Sequence, residues 1–233
     1  MKRCLMILLL CALCLAWAAA EPLPEPLTGY TFATAAEPLP LTNCFDTQQN
    51  VHPKVLYLPE GFGGHAWWMA YTPYTWGNCE QENPCIAWSD DGISWTDIPG
   101  NPIDLPPANA NGYLSDTHLV LRDDVLECWY RLADRGAKRE VIYRKTSTDG
   151  IHWSSRELLH DTGVKPGQLY CLSPAAIWDG TQYHIWYVVS TGDQPDAAGQ
   201  YIQYCTSANG TDWQPQHRIS LDYRDEFNRA YRL

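Results

Sequence analysis

Glu82, Asp116 and His52 are the side chains of this 233-residue chain whose types and places could do chemistry. Two carboxyls can divide acid–base work between them: one kept protonated hands a proton to a leaving oxygen, while the other stays ionised as base or nucleophile. A histidine adds a group that exchanges its proton near neutral pH. Arg131 and Arg135 could orient an acidic ligand or pair with Asp116, and Tyr74 and Trp76 offer flat faces for stacking. Each also has a plainer use, as a loop-stapling carboxylate, a turn-capping Asp, a hydrogen-bonded His or a surface ion pair.

What could bring these residues together is a repeat. Ser89-Asp90-Asp91-Gly92-Ile93-Ser94-Trp95 recurs as Ser147-Thr148-Asp149-Gly150-Ile151-His152-Trp153 and as Ser207-Ala208-Asn209-Gly210-Thr211-Asp212-Trp213, so the tryptophans stand 58 and 60 residues apart. Each copy follows a run rich in aliphatic, aromatic and Thr residues, and its Asp-Gly or Asn-Gly supplies the positive φ that a tight turn needs. Three strand-like runs precede or bracket each turn: Val51–Tyr57, His65–Tyr71 and Pro84–Ser89 in the first repeat; Thr117–Leu121, Val125–Arg131 and Val141–Arg144 in the second; Pro174–Trp178, Tyr183–Val189 and Tyr201–Cys205 in the third. A short strand is expected after each turn. Helical periodicity is essentially absent, and a strand-built repeat of this length predicts an all-β fold made of four-stranded β-propeller blades, at about 49–100, 112–160 and 168–217.

With strands A to D running outward from a central channel, A-to-B and C-to-D turns share one face of the disc, while B-to-C loops and blade links share the other. The Gly turns fall on the first face. On the second converge the residues expected to open each A strand, including His52, Asp116 and Ser173, together with the B-to-C loops Thr72–Asn83, Ala133–Arg139 and Ser190–Gly199. Glu82, Tyr74 and Trp76 lie in the first of these loops, with Glu82-Asn83-Pro84 expected to begin a strand. Arg131 and Arg135 lie at and beyond the end of the second blade's B strand.

Lys2 and Arg3 followed by an apolar stretch to Ala20 read as a secretory signal peptide over 1–20, and the Pro-rich stretch 21–41 as an irregular lead-in to a propeller domain over 42–233. The destination is then secreted or periplasmic, with no membrane span in the mature chain. Six cysteines remain after cleavage. Disulfides are expected from an even count in an oxidising compartment, Cys79 with Cys85 being the nearest local pair. A net charge of −11 argues against nucleic acid, whereas 11 Trp and 14 Tyr leave carbohydrate as a compatible partner. No Cys/His cluster has zinc spacing and no Gly-rich phosphate loop is present, so no metal or cofactor is implied.

The strings HPKVLYLPEGFGGHAWWMAYTPYTWGNCEQENPCIAWSDDGISW from His52, YLSDTHLVL, CWYRLAD, IYRKTSTDGIHW and LSPAAIWDG resemble secreted proteins of the five-bladed β-propeller glycosidase superfamily, which holds arabinanases, β-xylosidases, invertases and levansucrases. The likeness covers about 49–213. It implies catalytic carboxylates where A strands begin: an Asp in the first blade, an Asp in the second and a Glu in the third. Here the first place holds His52, the second Asp116 and the third Ser173. Asp116 therefore needs a second carboxyl, and Glu82, or Glu80 beside it, is the nearest on that face. The resemblance implies either a carbohydrate-active hydrolase of O-glycosyl bonds, with Asp116 and Glu82 catalytic and His52, Tyr74, Trp76, Arg131, Arg135 and Ser173 binding substrate, or a non-catalytic glycan-binding propeller. After the third turn only Gln214–Leu233 remain, too few for the four or more blades that close a propeller, so the domain is expected to be incomplete and able to self-associate through its open edges.

Overall fold

The computed structural model describes residues 39–137, 139–161, 169–191 and 201–219. The expected signal peptide, most of the lead-in, most of the third B-to-C loop and the last residues lie outside them. Twelve strands form three antiparallel four-stranded sheets, each in sequence order. The first sheet holds β1 (Asn50–Phe62), β2 (His65–Pro73), β3 (Cys85–Ser89) and β4 (Thr96–Asp97); the second β5 (Gly112–Arg122), β6 (Val125–Asp134), β7 (Arg139–Ser147) and β8 (Glu157–Asp161); the third β9 (Leu169–Trp178), β10 (Tyr183–Thr191), β11 (Tyr201–Ser207) and β12 (Gln214–Ile219). These are propeller blades, and β5 approaches both β1 and β9.

The second blade is buried on both faces, and every residue of β6 from Leu126 to Ala133 is buried. Strand alternation sends Leu126, Cys128, Tyr130 and Leu132 to a core shared with Trp68, Ala70 and Ile86 of the first blade. Trp129, one residue out of phase, joins the core shared with Tyr183, Ile185, Tyr187 and Val189 of the third. Polar bonds stitch the same seams: His118 Nε2 lies 2.8 Å from the Ala176 carbonyl, and fully buried Glu127 accepts from Tyr183 Oη at 2.7 Å and faces Arg144 at 3.3 Å.

The repeated turns have one construction. In the first, Ser89 Oγ accepts from Gly92 N at 2.9 Å, Asp91 Oδ1 accepts from the Ile93 and Ser94 amides at 2.8 and 2.7 Å, and Trp95 Nε1 donates to the Gly92 carbonyl at 3.2 Å. The second turn repeats each bond around Ser147, Asp149 and Trp153. In the third, Asn209 replaces the Asp, and Trp213 reaches across to the Leu159 carbonyl of the neighbouring blade. Gly150 is required twice, by a φ of +80° and by the first blade's Trp68, whose ring would lie 2.0 Å from any Cβ placed there.

A finer regularity lies in the A strands. Val51 pairs with Thr72 and Lys54 with Ala70, so His52 and Pro53 oppose Tyr71 alone. Asp116 and Thr117 oppose Tyr130, and Ser173 and Pro174 oppose Tyr187, in the same way. Each blade thus carries the same two-against-one β-bulge, and the first bulged residue is left-handed in all three, with φ of 55° at His52, 53° at Asp116 and 48° at Ser173. These residues were expected to open their strands. They lie inside them, where the bulge turns each side chain off the ordinary alternation.

The sequence expectation of a Cys79–Cys85 disulfide is also corrected. Cys44, Cys79, Cys85, Cys128 and Cys205 are free thiols, because Cys79 sits in a 3-10 turn (Cys79–Gln81) facing Arg135 while Cys85 points into the core beside Met69 and Tyr71.

Gly150→Ala is expected to destabilise the protein by about 3 kcal/mol or more, since overpacking against Trp68 adds to left-handed strain. Gly100→Ala, at a φ of +86° with open space around it, should cost only the strain, roughly 1–2 kcal/mol. Urea denaturation of the two variants measures the difference.

Candidate functional site

The three bulges place His52, Asp116 and Ser173 side by side on the inner strands of successive blades, and Asp116 in the middle blade is held by both neighbours. Its Oδ2 accepts from Arg131 Nε at 2.7 Å and from the Ser173 amide of the third blade at 2.9 Å. Its Oδ1 lies 3.5 Å from His52 Nε2 of the first blade. Thr117, the second residue of the same bulge, donates its hydroxyl to the His52 carbonyl at 3.2 Å.

Arg131 projects from β6, where it pairs with Ser115, and its other arm donates to Glu140 of β7 at 2.9 Å. All three ionic groups are buried. Burial works against ionisation of Asp116, but the Arg131 guanidinium, the Ser173 amide and His52 outweigh it and hold its carboxyl below the usual carboxylate range. Burial likewise opposes the charge of Arg131, and its two carboxylate partners overcome that and raise its pKa further.

Glu82 arrives from the opposite direction. It caps the Cys79–Gln81 turn, three residues before β3 begins at Cys85, so it does not begin a strand as its sequence suggested. Its carbonyl accepts from Leu114 N at 3.0 Å, which fastens this loop to β5 and places its carboxyl beside Ser115. Ser115 Oγ lies 2.6 Å from Glu82 Oε2 and 3.3 Å from Asp116 Oδ1, so one hydroxyl stands between the two carboxyls. Desolvation dominates here and raises the Glu82 pKa above the usual range, with the Ser115 hydrogen bond opposing it. The two carboxyls therefore sit on opposite sides of their common starting value. His52 stands between them, Nδ1 3.5 Å from Glu82, its side chain 41% exposed where those of Glu82 and Asp116 are 7% and 8%.

A cavity of about 350 Å³ gathers these groups, lined by Val51, His52, Tyr74, Glu82, Tyr113, Ser115, Asp116, Arg131 and Ser173. Of the residues singled out from sequence, Trp76 and Arg135 do not line it. Trp76 has a φ of 54° that turns its indole outward to 85% exposure, its amide held by Gln49. Arg135 lies over the outer side of Tyr113 and contacts Cys79 Sγ. Sequence reasoning missed Ser115, Tyr113 and Glu140. Ser115 and Tyr113 precede Asp116 at odd spacing, so alternation alone puts both on the face opposite it, while Glu140 shows its place only through the register of β7 on β6. Among the described residues no group of three or more His, Cys, Asp or Glu is placed to hold a metal ion, and no helix is long and apolar enough to cross a membrane.

Solved structures match this arrangement of blades. An N-acetylgalactosamine deacetylase from F. plautii in complex with blood group B trisaccharide superposes with a TM-score of 0.65 at 22% identity, covering 77% of this chain and 56% of that one. An α-L-arabinanase of Penicillium chrysogenum complexed with arabinobiose gives 0.51 at 15% identity, over 73% and 49%. This is the fold of the five-bladed β-propeller glycosidases. In sequence, the chain is 32% identical over 111 residues to an A type blood N-acetyl-α-D-galactosamine deacetylase of Flavonifractor plautii, a stretch that is 45% of this chain and 14% of that protein. The chain thus spans a minor part of that relative and about half of the glycosidase-type propellers it superposes on. No protein-family model matches it.

Arg131→Leu is expected to cost about 3–5 kcal/mol at neutral pH by removing the guanidinium that buried Asp116 and Glu140 both accept from. In the wild type the Asp116 contribution is complete above the ordinary carboxylate range and is lost as pH falls through its lowered folded value. In the variant the folded pKa of Asp116 rises instead, and that of Glu140, already raised by burial, rises further, so the deficit should shrink on acidification as both carboxyls take up protons. Urea titrations at about pH 7 and about pH 4 test the sign.

Proposed function

We propose that this chain is a secreted carbohydrate-active hydrolase that takes a sugar into the 350 Å³ pocket, with Glu82 as the proton donor, Asp116 as the ionised carboxylate and His52 between them. The observation that carries this reading is the opposite displacement of the two carboxyl pKa values within one cavity: burial keeps Glu82 protonated into a range where Asp116, held by Arg131, is charged. Hydrolysis at a sugar needs that division of labour, an acid for the departing atom and a base for water or a nucleophile. Tyr74, 37% exposed on the pocket wall, supplies a face for a pyranose or furanose ring.

The charge balance narrows the ligand. Arg131 is the pocket's one lysine- or arginine-type cation among the lining residues, and Asp116 and Glu140 both hold it. With its charge neutralised, it orients Asp116 and has none left for an acidic sugar. Neutral sugars fit this balance better than uronic acids do.

Which bond is cut follows from two supports that differ. The pairing of Glu82 with Asp116 in one cavity suits glycoside hydrolysis. His52 and Ser173 at the other two bulges, together with the local identity to a GalNAc deacetylase, favour cleavage of a sugar acetamide, with Asp116-oriented His52 activating water. A panel of neutral glycosides and N-acetylated glycans separates the two by product: a free reducing sugar or acetate. If neither is released while a glycan still binds, the protein is a binding module and the hydrolase proposal fails.

Turnover should be bell-shaped in pH. It rises as Asp116 ionises, below the ordinary carboxylate range, and falls as Glu82 loses its proton, above it. Asp116→Asn and Glu82→Gln are each expected to reduce kcat by at least about 100-fold while leaving glycan affinity, measured by calorimetry, within a few-fold of wild type.

A further inference from the structure

Away from the pocket, two thiols from distant parts of the sequence meet on the face of the first blade turned away from the second. Cys85 opens β3 opposite Tyr71 of β2, is fully buried, and belongs to a small core with Leu41, Met69, Tyr71 and Ala87. Leu41 brings the segment before β1 onto that core, and shortly after it the exposed Cys44 meets Cys85, whose thiol donates to the Cys44 sulfur. The hydroxyl of Tyr71, which donates to Asp97 at 2.6 Å, is a further hydrogen-bond neighbour of Cys85.

Both thiols are held where they meet. Asn43 Nδ2 donates to Asn50 Oδ1 at 2.9 Å and Asn43 N to the Thr47 carbonyl at 2.8 Å, while Asn50 Nδ2 donates to the Leu41 carbonyl at 2.8 Å, so the turn carrying Cys44 is fixed at its base. Cys85 is fixed by its place in the sheet. The other cysteines among the described residues lie elsewhere: Cys128 and Cys205 sit in the two cores between blades, and Cys79 accepts from Arg135 Nη2 at 3.0 Å. The two sulfurs also differ in reactivity. The hydrogen bond from Cys85 draws the Cys44 thiol below the usual thiol range, and Cys44 is the one that solvent reaches. That same bond, together with burial, pushes Cys85 well above the range.

We propose that Cys44 and Cys85 are a disulfide site that fastens the 41–49 segment to β3. The exposed Cys44 thiolate attacks a small-molecule disulfide, which gives a mixed disulfide and releases one small thiol. The Cys85 sulfur then attacks the Cys44 sulfur and releases the second. Two protein thiols are thereby oxidised to one S–S bond, one external disulfide is reduced to two thiols, and the proton of each protein thiol ends on a released one. Closing the contact to a bond of about 2 Å asks for rotation of the Cys44 side chain, which faces solvent, and not of the buried Cys85. The fastened segment is also the one that holds the loop carrying Tyr74: the Gln49 carbonyl accepts from Tyr74 N at 2.9 Å, and Thr47 Oγ1 lies 3.0 Å from Thr75 Oγ1. The site stands whether or not the pocket hydrolyses a sugar.

To test this, the reduced protein is treated with a large excess of oxidised glutathione, its remaining thiols are trapped with N-ethylmaleimide, and the product is mapped by peptic digestion and mass spectrometry. Expected is one linked pair of peptides, Cys44 with Cys85, lighter by two hydrogens than the separate peptides, in the wild type and equally in Cys79→Ser. Oxidation should raise the melting temperature of the wild type by roughly 5–10 °C and leave that of Cys44→Ser, a change at an exposed position, unmoved. Cys85 linked to Cys79, Cys44 linked to any other cysteine, Cys44 left carrying glutathione beside a free Cys85, or both thiols left free overturns the site. A linked pair with an unmoved melt overturns the fastening.

Discussion

The Asp116 carboxylate is the point at which the three blades agree. It stands on the middle blade, receives an amide from the third, faces the imidazole of the first and neutralises the arginine that spans two strands of its own sheet. A buried carboxylate is tolerable only with such partners, since an unpaired charge in the interior is costly and a paired one holds its geometry. Each partner needs a neighbouring blade in its place. The site and the packing of inner strands are thus one arrangement: the angle at which β1 and β9 meet β5 decides whether Asp116 is satisfied.

The bulges make that meeting possible. A left-handed residue that is not glycine costs roughly 1–2 kcal/mol, and the chain accepts this at the same position three times. In the regular alternation of a strand, His52, Asp116 and Ser173 would each point to a blade-to-blade interface or away from it. Doubling two residues against one tyrosine turns them toward the centre instead. The backbone device is constant while the residue on it changes from His to Asp to Ser, so chemistry can be altered at these positions without altering the scaffold.

Much of the blade architecture was legible because it rests on local signals. The Ser-x-Asp-Gly turn declares itself by composition, and the aliphatic and aromatic runs before it declare the strands. The face carrying the site followed from strand direction alone, which is why His52, Glu82, Asp116, Arg131 and Ser173 were singled out together. What stayed hidden depends on non-local register. A bulge inverts the parity of every residue before it, so Ser115 and Tyr113 could not be assigned to a face by counting, and Glu140 joins the site only because β7 sets it beside Arg131. Trp76 misled for a related reason: a flat ring in the right loop points wherever its backbone turns it, and a left-handed φ turned this one outward.

Electrostatics then distinguishes this pocket from a surface of paired charges. The exposed Asp91, Asp149 and Asp179 also have lowered pKa values, from amide, hydroxyl and histidine bonds within their own turns, and they face solvent with no second carboxyl opposed to them. Such bonds shape turns. Glu82 and Asp116 differ in being buried against the same hydroxyl, so that desolvation and Arg131 act on them in opposite senses over a few ångströms. Desolvation alone would raise both, and Arg131 placed midway would lower both. The asymmetry arises because Asp116 takes both the Arg131 guanidinium and the Ser173 amide, while Glu82 enters on a loop from the neighbouring blade, beyond the guanidinium's hydrogen bonds. A protonated acid beside an ionised partner is therefore a product of blade geometry, set by which strand supplies the arginine and which loop supplies the acid.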